Sequence, residues 1–344
     1  MDYKQMTFDP NQIGVPNGNY FALPFSVAEA ALVLVSAEWD VTTSYRAGTA
    51  QAPAAIIDAS AQVDLYDLNY GEAWQRGIGT LPIDAQWHKR SIAARKKAAK
   101  AIALLEKGSS ENDKSVAALT DSVNADSKWF NDSVYTATQA LLRQGKVVGL
   151  VGGDHSVPFG YLRALAEQHS EFGILHIDAH SDLRKAYEGF EFSHASIMYN
   201  VLKHIPQVAK IVQVGIRDLC TDEWNLAHTD ARVCQFDNYA VAQAMFEGET
   251  WLQVCKKVIA ALPSKVYISF DIDGLSPDNC PNTGTPVPGG LSFLQANYLL
   301  QQLTQAGKNI IGFDLCEVAP GAHSDWDAVV GARVLYKLCG CALT

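Results

Sequence analysis

The chain is predicted to fold as an α/β protein in which helices cover both faces of a mainly parallel central sheet. Short apolar runs rich in Val, Leu and Ile recur from about residue 31 to the C-terminus, and helical patterns separate them. Most of these runs are apolar at consecutive positions rather than alternating, as strands buried on both faces require.

Taken in chain order, strands are expected at 31–35 (ALVLV), 146–151 (KVVGLV), 173–177 (GILHI), 210–215 (KIVQVG), 265–270 (KVYISF) and 309–313 (NIIGF). Helices are expected around 91–106, 115–144, 159–169, 251–262, 293–305 and 326–339, where apolar positions recur at helical spacing. The polar stretch 107–114 reads as an exposed loop between two helices, not as a domain boundary. Residues 1–30 carry Pro10, Gly14, Pro16 and Gly18 without periodicity. They are expected to form an N-terminal arm lying on the domain or on a neighbouring subunit, which leaves 31–344 as a single domain. No repeat interrupts it.

Composition narrows the function. Across 344 residues, 48% hydrophobic and 19% charged is ordinary globular usage. No apolar run reaches the roughly 20 residues of a membrane span, and the first residues lack the basic-then-apolar layout of a signal peptide. A soluble cytoplasmic protein is expected. A formal charge of −10 argues against nucleic acid as a partner, because phosphate binding needs a basic face. The seven cysteines form no C-x-x-C pair and are expected to be reduced core residues.

Ligands of open parallel sheets sit where the strands end, and three strand ends here are rich in carboxylate and imidazole. They are Gly152-Gly153-Asp154-His155-Ser156, Asp178-Ala179-His180-Ser181-Asp182 and Asp271-Ile272-Asp273. In an extended chain Asp178, His180 and Asp182 project to one side. Carboxylates so close repel unless a cation neutralises them. Any one of these residues alone reads as a turn residue or a helix cap; three clusters, each just past an apolar strand, read as a metal site. His155, Asp178, His180, Asp182, Asp271 and Asp273 offer only oxygen and nitrogen, which suits Mn²⁺ or a similar ion better than a structural zinc.

The segments GGDHS, DAHSD and SFDIDGLSP resemble, in order and separation, the three signature motifs of the ureohydrolase (arginase, agmatinase and guanidinase) family. The resemblance runs from about Val41 to the C-terminus. It implies a three-layer α/β/α sandwich, a trimer or hexamer, and two divalent ions per subunit, Mn²⁺ by default and Ni²⁺ as the alternative. It also implies that one ion is held by His155, Asp178, Asp182 and Asp271. The other would be held by His180, Asp178, Asp271 and Asp273, with Asp178 and Asp271 bridging. Glu317 matches the family carboxylate that pairs with a substrate guanidinium, and His194 the loop histidine that relays protons, with Ala195 where a glycine is usual. Asp182 would accept a hydrogen bond from the attacking water.

The expected reaction is hydrolysis of a small cationic guanidino compound to urea and an amine or ammonia. Arginases carry Asn, Thr and Ser between the positions of Asp182 and His194 to grip an amino-acid head. Here the segment contains Arg184, Tyr187, Glu188, Phe190, Glu191 and Phe192. Glu188 or Glu191 would neutralise a distal ammonium, as in agmatine; Tyr187, Phe190 or Phe192 would close the pocket around guanidine itself. The tail 320–338 looks more like the guanidine-hydrolase branch than like agmatinases. The alternatives are a formiminoglutamate-type hydrolase, an arginase, a non-catalytic subunit of a mixed oligomer, and a metal-dependent deacetylase, whose His-His pair is missing here. His176 and Asp154 are expected to support the site, and Trp224, Trp251, Trp326 and His323 to be packing or rim residues.

Overall fold

A computed structural model describes residues 8–344. Residues 1–7 of the expected N-terminal arm lie outside the described residues. Eight strands, β1 (Leu32–Ala37), β2 (Ile78–Leu81), β3 (Val147–Gly152), β4 (Phe172–Ile177), β5 (Val208–Val214), β6 (Val233–Phe236), β7 (Lys265–Asp271) and β8 (Asn309–Cys316), form one parallel sheet. Their order is β2-β1-β3-β8-β7-β4-β5-β6. The helices are α1 (Ala52–Ser60), α2 (Ala85–Glu106), α3 (Lys114–Leu142), α4 (Phe159–Ala166), α5 (Ile197–His204), α6 (Thr221–Thr229), α7 (Asn238–Phe246), α8 (Trp251–Ala261), α9 (Phe293–Gln305) and α10 (Trp326–Leu343).

The three-layer α/β/α sandwich follows from the strand sequences. Along β1, Leu32 and Leu34 enter the core shared with α1, α8, α9 and α10, while Val33 and Val35 enter the core shared with α2 to α5. Alternate residues of a strand point to opposite faces, so a run apolar at every position needs a helix layer on each side.

All six expected strands are present within a few residues of the positions read from sequence. The two that sequence reading missed, β2 and β6, are the short edge strands, four residues each and partly exposed. The missed helices α1, α5, α6 and α7 have eight or nine residues. The helix expected from residue 91 starts at Ala85, capped by Asp84, whose side chain accepts the Gln86 N–H.

Of the arm, Tyr20 to Leu23 are buried. The Tyr20 N–H donates to Thr80 Oγ1 on β2 (3.0 Å) and the Phe21 N–H to Ser60 Oγ on α1 (2.7 Å). Among the described residues no helix is long and apolar enough to cross a membrane.

This topology creates the crevice that a site needs. The chain leaves β3 for α4 and β4 for α5, on one face, but leaves β8 for α10 and β7 for α9, on the other. In the middle of the sheet the loops of neighbouring strands therefore diverge, at the pair β3/β8 and again at β7/β4, opening space above the carboxyl edge.

Candidate metal centre

β3 ends at Gly152 and the chain doubles back over the sheet. Gly153 permits this, because a Cβ there would lie 1.9 Å from the Trp39 carbonyl oxygen. The Asp154 N–H donates to that same carbonyl (2.8 Å). The Asp154 carboxylate accepts from the Ser156 and Thr42 backbone N–H groups (3.0 and 3.3 Å), as a loop-holding residue should. Trp39 is itself fixed by stacking on Phe130 of α3 (4.3 Å, 11°). Core packing thus sets the height at which His155 hangs over the strands.

The segment after β4 corrects the expected geometry. Asp178, His180 and Asp182 are not presented by an extended chain. Asp178 Oδ1 accepts the His180 N–H (2.6 Å), closing a tight turn, and Asp182 takes a left-handed φ of 55°. A short carboxylate competes for local backbone donors and bends the chain away from extension. Gly274 lies against this turn; its Cβ would sit 2.7 Å from the Asp178 nitrogen.

β7 delivers Asp271 as its last residue, and Asp271 Oδ1 caps the following turn by accepting the Asp273 N–H (2.8 Å). Asp273 Oδ1 in turn accepts from the Ala179 N–H (3.0 Å), tying the two loops together. β8 delivers Glu317, also left-handed (φ 62°), whose Oε1 accepts the His155 N–H (2.9 Å). Two buried carboxylates in a strained backbone region cost about 1–3 kcal/mol each, the kind of cost that concentrates at functional sites.

The six expected metal ligands come together. His155 Nδ1 lies 2.9 Å from Asp178 Oδ2, 3.1 Å from Asp182 Oδ2 and 3.3 Å from Asp271 Oδ2. His180 Nδ1 lies 3.1 Å from Asp273 Oδ2 and 3.6 Å from Asp178 Oδ1. Asp178 thereby divides its oxygens between two adjoining groups. All but His180 are essentially removed from solvent.

The electrostatics are those of a site that wants a cation. Burial, then the charges of Asp273 and Asp178, push Asp271 well above the carboxylate range. Burial and Asp178 push Asp182 up to about 6. Burial also raises Asp178, but the imidazoles of His176, His155 and His180 outweigh it and hold that carboxyl well below its usual range. Burial alone would lower His155, yet hydrogen bonds to Asp178, Asp182 and Asp271 hold it well above the usual imidazole value.

The donor set fits divalent ions. Ser269 Oγ donates to Asp314 Oδ2 (2.8 Å), so it accepts from His155 Nε2–H (2.9 Å). The His155 Nδ1 lone pair then faces three carboxylate oxygens, and acceptors facing acceptors at that range require a cation between them. In the metal-free chain a proton on Nδ1 is the stand-in.

His194 lies in a 3-10 turn and lines the same cavity as His155, His180, Asp182, Asp271, Asp273 and Glu317. Ala195 needs no glycine-like conformation: its N–H donates to Ser193 Oγ (3.2 Å) and its φ is negative. Burial, followed by His180, Arg95 and His155, lowers His194 to about 3, so the ring rests neutral.

The segment 183–193 also differs from expectation. Tyr187 and Arg184 line the cavity, the Arg184 guanidinium lying over the Tyr187 ring (4.7 Å). Glu188 and Glu191 do not line it: burial raises half-buried Glu188 above its usual value, and Glu191 faces Lys203 (3.8 Å). Phe190 is wholly in the core and Phe192 packs on Phe159. The left-handed Glu188 and the turn closing Tyr187 to Phe190 rotate these side chains away. His323 is exposed and off the cavity. Trp251 packs against the core and donates to the Gln295 carbonyl, while Trp326 is exposed and donates to the Asp278 carbonyl.

Sequence reading missed Thr42, Gln213, Ser269, Asp314 and Arg217. Arg217 donates to the Asp273, Leu275 and Val287 carbonyls, pinning the loop that carries Asp273. One signal was available: a Gln inside the otherwise apolar run KIVQVG marks a buried polar group that must be satisfied.

The sequence matches the Arginase family over residues 30–340. It is 30% identical to an N(1)-aminopropylagmatine ureohydrolase of Synechocystis sp., over 92% of this chain and 90% of that protein. It is 34% identical to an agmatinase of Proteus mirabilis, over 61% of this chain and 64% of the other. In fold it is similar to an agmatine ureohydrolase of Thermoplasma volcanium (TM-score 0.70, 24% identity, 93% and 92% of the two chains). It is similar too to proclavaminate amidino hydrolase of Streptomyces clavuligerus (TM-score 0.72, 22% identity, 97% and 99%). With the family matched along almost the whole chain and the same fold around a buried His/Asp cluster, the protein belongs to the arginase family of ureohydrolases.

Proposed function

We propose that this protein hydrolyses a small guanidino compound, agmatine-like or guanidine itself, to urea and an amine or ammonia. The observation that carries the reading is the shared cavity: one buried carboxylate, Glu317, anchored at Oε1 by the His155 backbone N–H, lines the same space as the His/Asp cluster. Guanidino substrates of the named relatives support it. His155, Asp178, Asp182 and Asp271 would hold one divalent ion and His180, Asp178, Asp271 and Asp273 a second, Mn²⁺ by default and Ni²⁺ as the alternative. Ions bound there supply Lewis acidity that makes water nucleophilic near neutral pH.

The chain's own residues do the rest. Glu317, with Oε1 anchored by the His155 N–H, presents its carboxylate to the guanidinium, pairing with its charge and fixing its orientation. Asp182 accepts a hydrogen bond from the attacking water. His194, neutral at rest, would take up a proton and relay it to the leaving nitrogen, directly or through water. Thr42 Oγ1 and Ser193 Oγ lie 3.4 and 3.3 Å from His194 Nδ1 and hold the ring in place.

Within this class the residues lining the cavity bear on which cation it takes. Arg184 and Tyr187 line it, neither Glu188 nor Glu191 reaches it, and the carboxylates placed to receive a distal ammonium are Asp218 and Glu223. Guanidine and agmatine therefore rank close together, with L-arginine behind both. We further read residues 31–344 as the catalytic domain of a cytoplasmic homotrimer or homohexamer, as the family resemblance implies. Urea release by purified protein supplied with Mn²⁺ or Ni²⁺, against guanidine, agmatine, guanidinobutyrate and L-arginine, tests the function. Urea from none of them refutes it. A kcat/KM for L-arginine equal to or above that for both guanidine and agmatine refutes the substrate ranking.

A further inference from the structure

A row of polar residues crosses the sheet just beneath the metal centre. Gln235 on β6, Gln213 on β5, His176 on β4, Ser269 on β7 and Asp314 on β8 are register partners on five adjacent strands. All but Gln235 are fully buried. Asp178 and Asp271 sit two residues further along the strands that carry His176 and Ser269, and therefore one step above them on the same face.

Hydrogen-bond direction can be assigned along one arm of this row. The Ser181 carbonyl can only accept, so the Gln213 group 2.7 Å from it is the amide nitrogen. The Gln213 oxygen correspondingly accepts from Ser181 Oγ (3.1 Å) and Gln235 Nε2 (3.0 Å). The second Gln213 N–H points to His176 Nδ1 (2.9 Å), which must accept it. His176 then carries its hydrogen on Nε2, 2.8 Å from Asp178 Oδ2, and donates it there. Both ring nitrogens are thereby spent. Yet His176, His155, Asp178 and Asp182 each offer a ligand atom, and these atoms lie within 4.8 Å of one another. By position alone His176 is a candidate ligand.

We propose that Gln213 is a positioning residue of the metal centre: by donating to His176 Nδ1 it keeps this histidine a hydrogen-bond donor to Asp178 and out of the ligand set. The inference rests on the metal-centre reading above. Asp178 is the carboxylate that faces both ligand groups, so a donor fixed on its Oδ2 holds its rotamer while its oxygens face the ions. Without Gln213 the imidazole is free to present a lone pair to the cluster, either repelling Asp178 or competing for the cation.

Mn²⁺ affinity of the demetallated full-length protein, measured by chelator competition, separates the roles, with circular dichroism and Tm of the metal-free forms as a check on folding. Gln213→Leu should weaken Mn²⁺ binding by about 10- to 100-fold, the usual cost of losing a partner behind the ligands. His176→Gln keeps an N–H near the Nε2 position and should stay within about threefold of wild type, while His176→Leu falls as far as Gln213→Leu. Gln213→Leu added to His176→Gln should cost little more, because the glutamine donor no longer depends on a tautomer. The proposal is overturned if Gln213→Leu binds Mn²⁺ like wild type, if His176→Gln loses as much affinity as His176→Leu, or if the Gln213 penalty persists undiminished in the His176→Gln background. Wild-type protein that binds no divalent ion would defeat the metal-centre reading itself, and this inference with it.

Discussion

In the middle of the sheet β3, β8, β7 and β4 are covered by helices on both faces and have strands on both sides, whereas among the described residues β2 and β6 each have one open edge. The central strands end in loops that diverge to opposite faces, and every candidate ligand is on one of those loops or at a strand end. The edge strands are shorter and end in no such cluster. Still, β2 receives the arm through Thr80, and β6 feeds Gln235 into the polar row beneath the site. The centre concentrates unfavourable terms, namely buried carboxylates and left-handed backbone, which a bound cation can offset. The edges hold ordinary packing, backbone and side-chain hydrogen bonds and, before β6, the surface pair Arg232–Asp230. Changes at the centre should therefore abolish function with little effect on the metal-free fold, and changes at the edges should do the reverse.

The largest effect should come from Asp178→Asn. Removing the charge shared by the two groups should strip most bound metal and lower kcat by on the order of 10³-fold or more, the upper scale for losing one strong electrostatic contributor. Metal analysis beside steady-state kinetics checks this; one tightly bound ion in a fully active mutant would contradict the two-ion reading. His194→Ala should keep its metal content while kcat falls by roughly 10²-fold, as for a positioned proton donor. A near-normal kcat across the pH range would remove His194 from that role. Glu317→Gln should reduce kcat/KM by roughly 10- to 100-fold through loss of a charged hydrogen bond to the substrate. Retention of full kcat/KM for guanidine would show that the cation binds elsewhere.

The metal-free protein should become less stable as pH rises. Asp182, pushed up to about 6, binds its proton more tightly folded than unfolded, so stability falls as pH climbs from about 4 through about 6. His155 and His180, held above their usual range, contribute stability that is lost as pH rises through their folded values. Asp178 acts in the opposite sense, with stability lost only as pH falls through its depressed value. Bound cations replace the protons, so the rise in Tm on adding Mn²⁺ should be larger at about pH 8 than at about pH 5. An equal or smaller shift at the higher pH would mean that the carboxylates are not the groups responsible. The smallest effect belongs to the edge. Thr80→Ala, which removes the acceptor for the Tyr20 N–H, should cost about 0.5–1.5 kcal/mol in urea unfolding and leave kcat unchanged. A larger loss would show that the arm is part of the cooperative core.

Which parts were legible in sequence follows the same division. The runs ALVLV and KVYISF announce strands because burial on both faces demands apolar residues at every position, and no neighbouring signal contradicts them. The four-residue runs of β2 and β6, half exposed, carry too few apolar positions to stand out from a loop. The candidate ligands were legible because carboxylate and imidazole after an apolar strand are rare without a reason. The directions of Glu188, Glu191 and Phe190 were not, because a single left-handed residue turns a whole loop, and Glu is not a residue that signals φ above zero.

By itself the sequence determined the layer architecture, the family, and the six His and Asp residues that meet at the carboxyl edge, since hydrophobic periodicity and local residue chemistry are written in order along the chain. Tertiary structure alone decided which nitrogen of His155 faces the carboxylates, that His176 donates to Asp178, and that His194 rests neutral. The physical reason is that tautomers and pKa values depend on what lies within a few ångströms. Those neighbours, Gln213, Ser269, Asp314 and Thr42, come from strands and loops tens to hundreds of residues away.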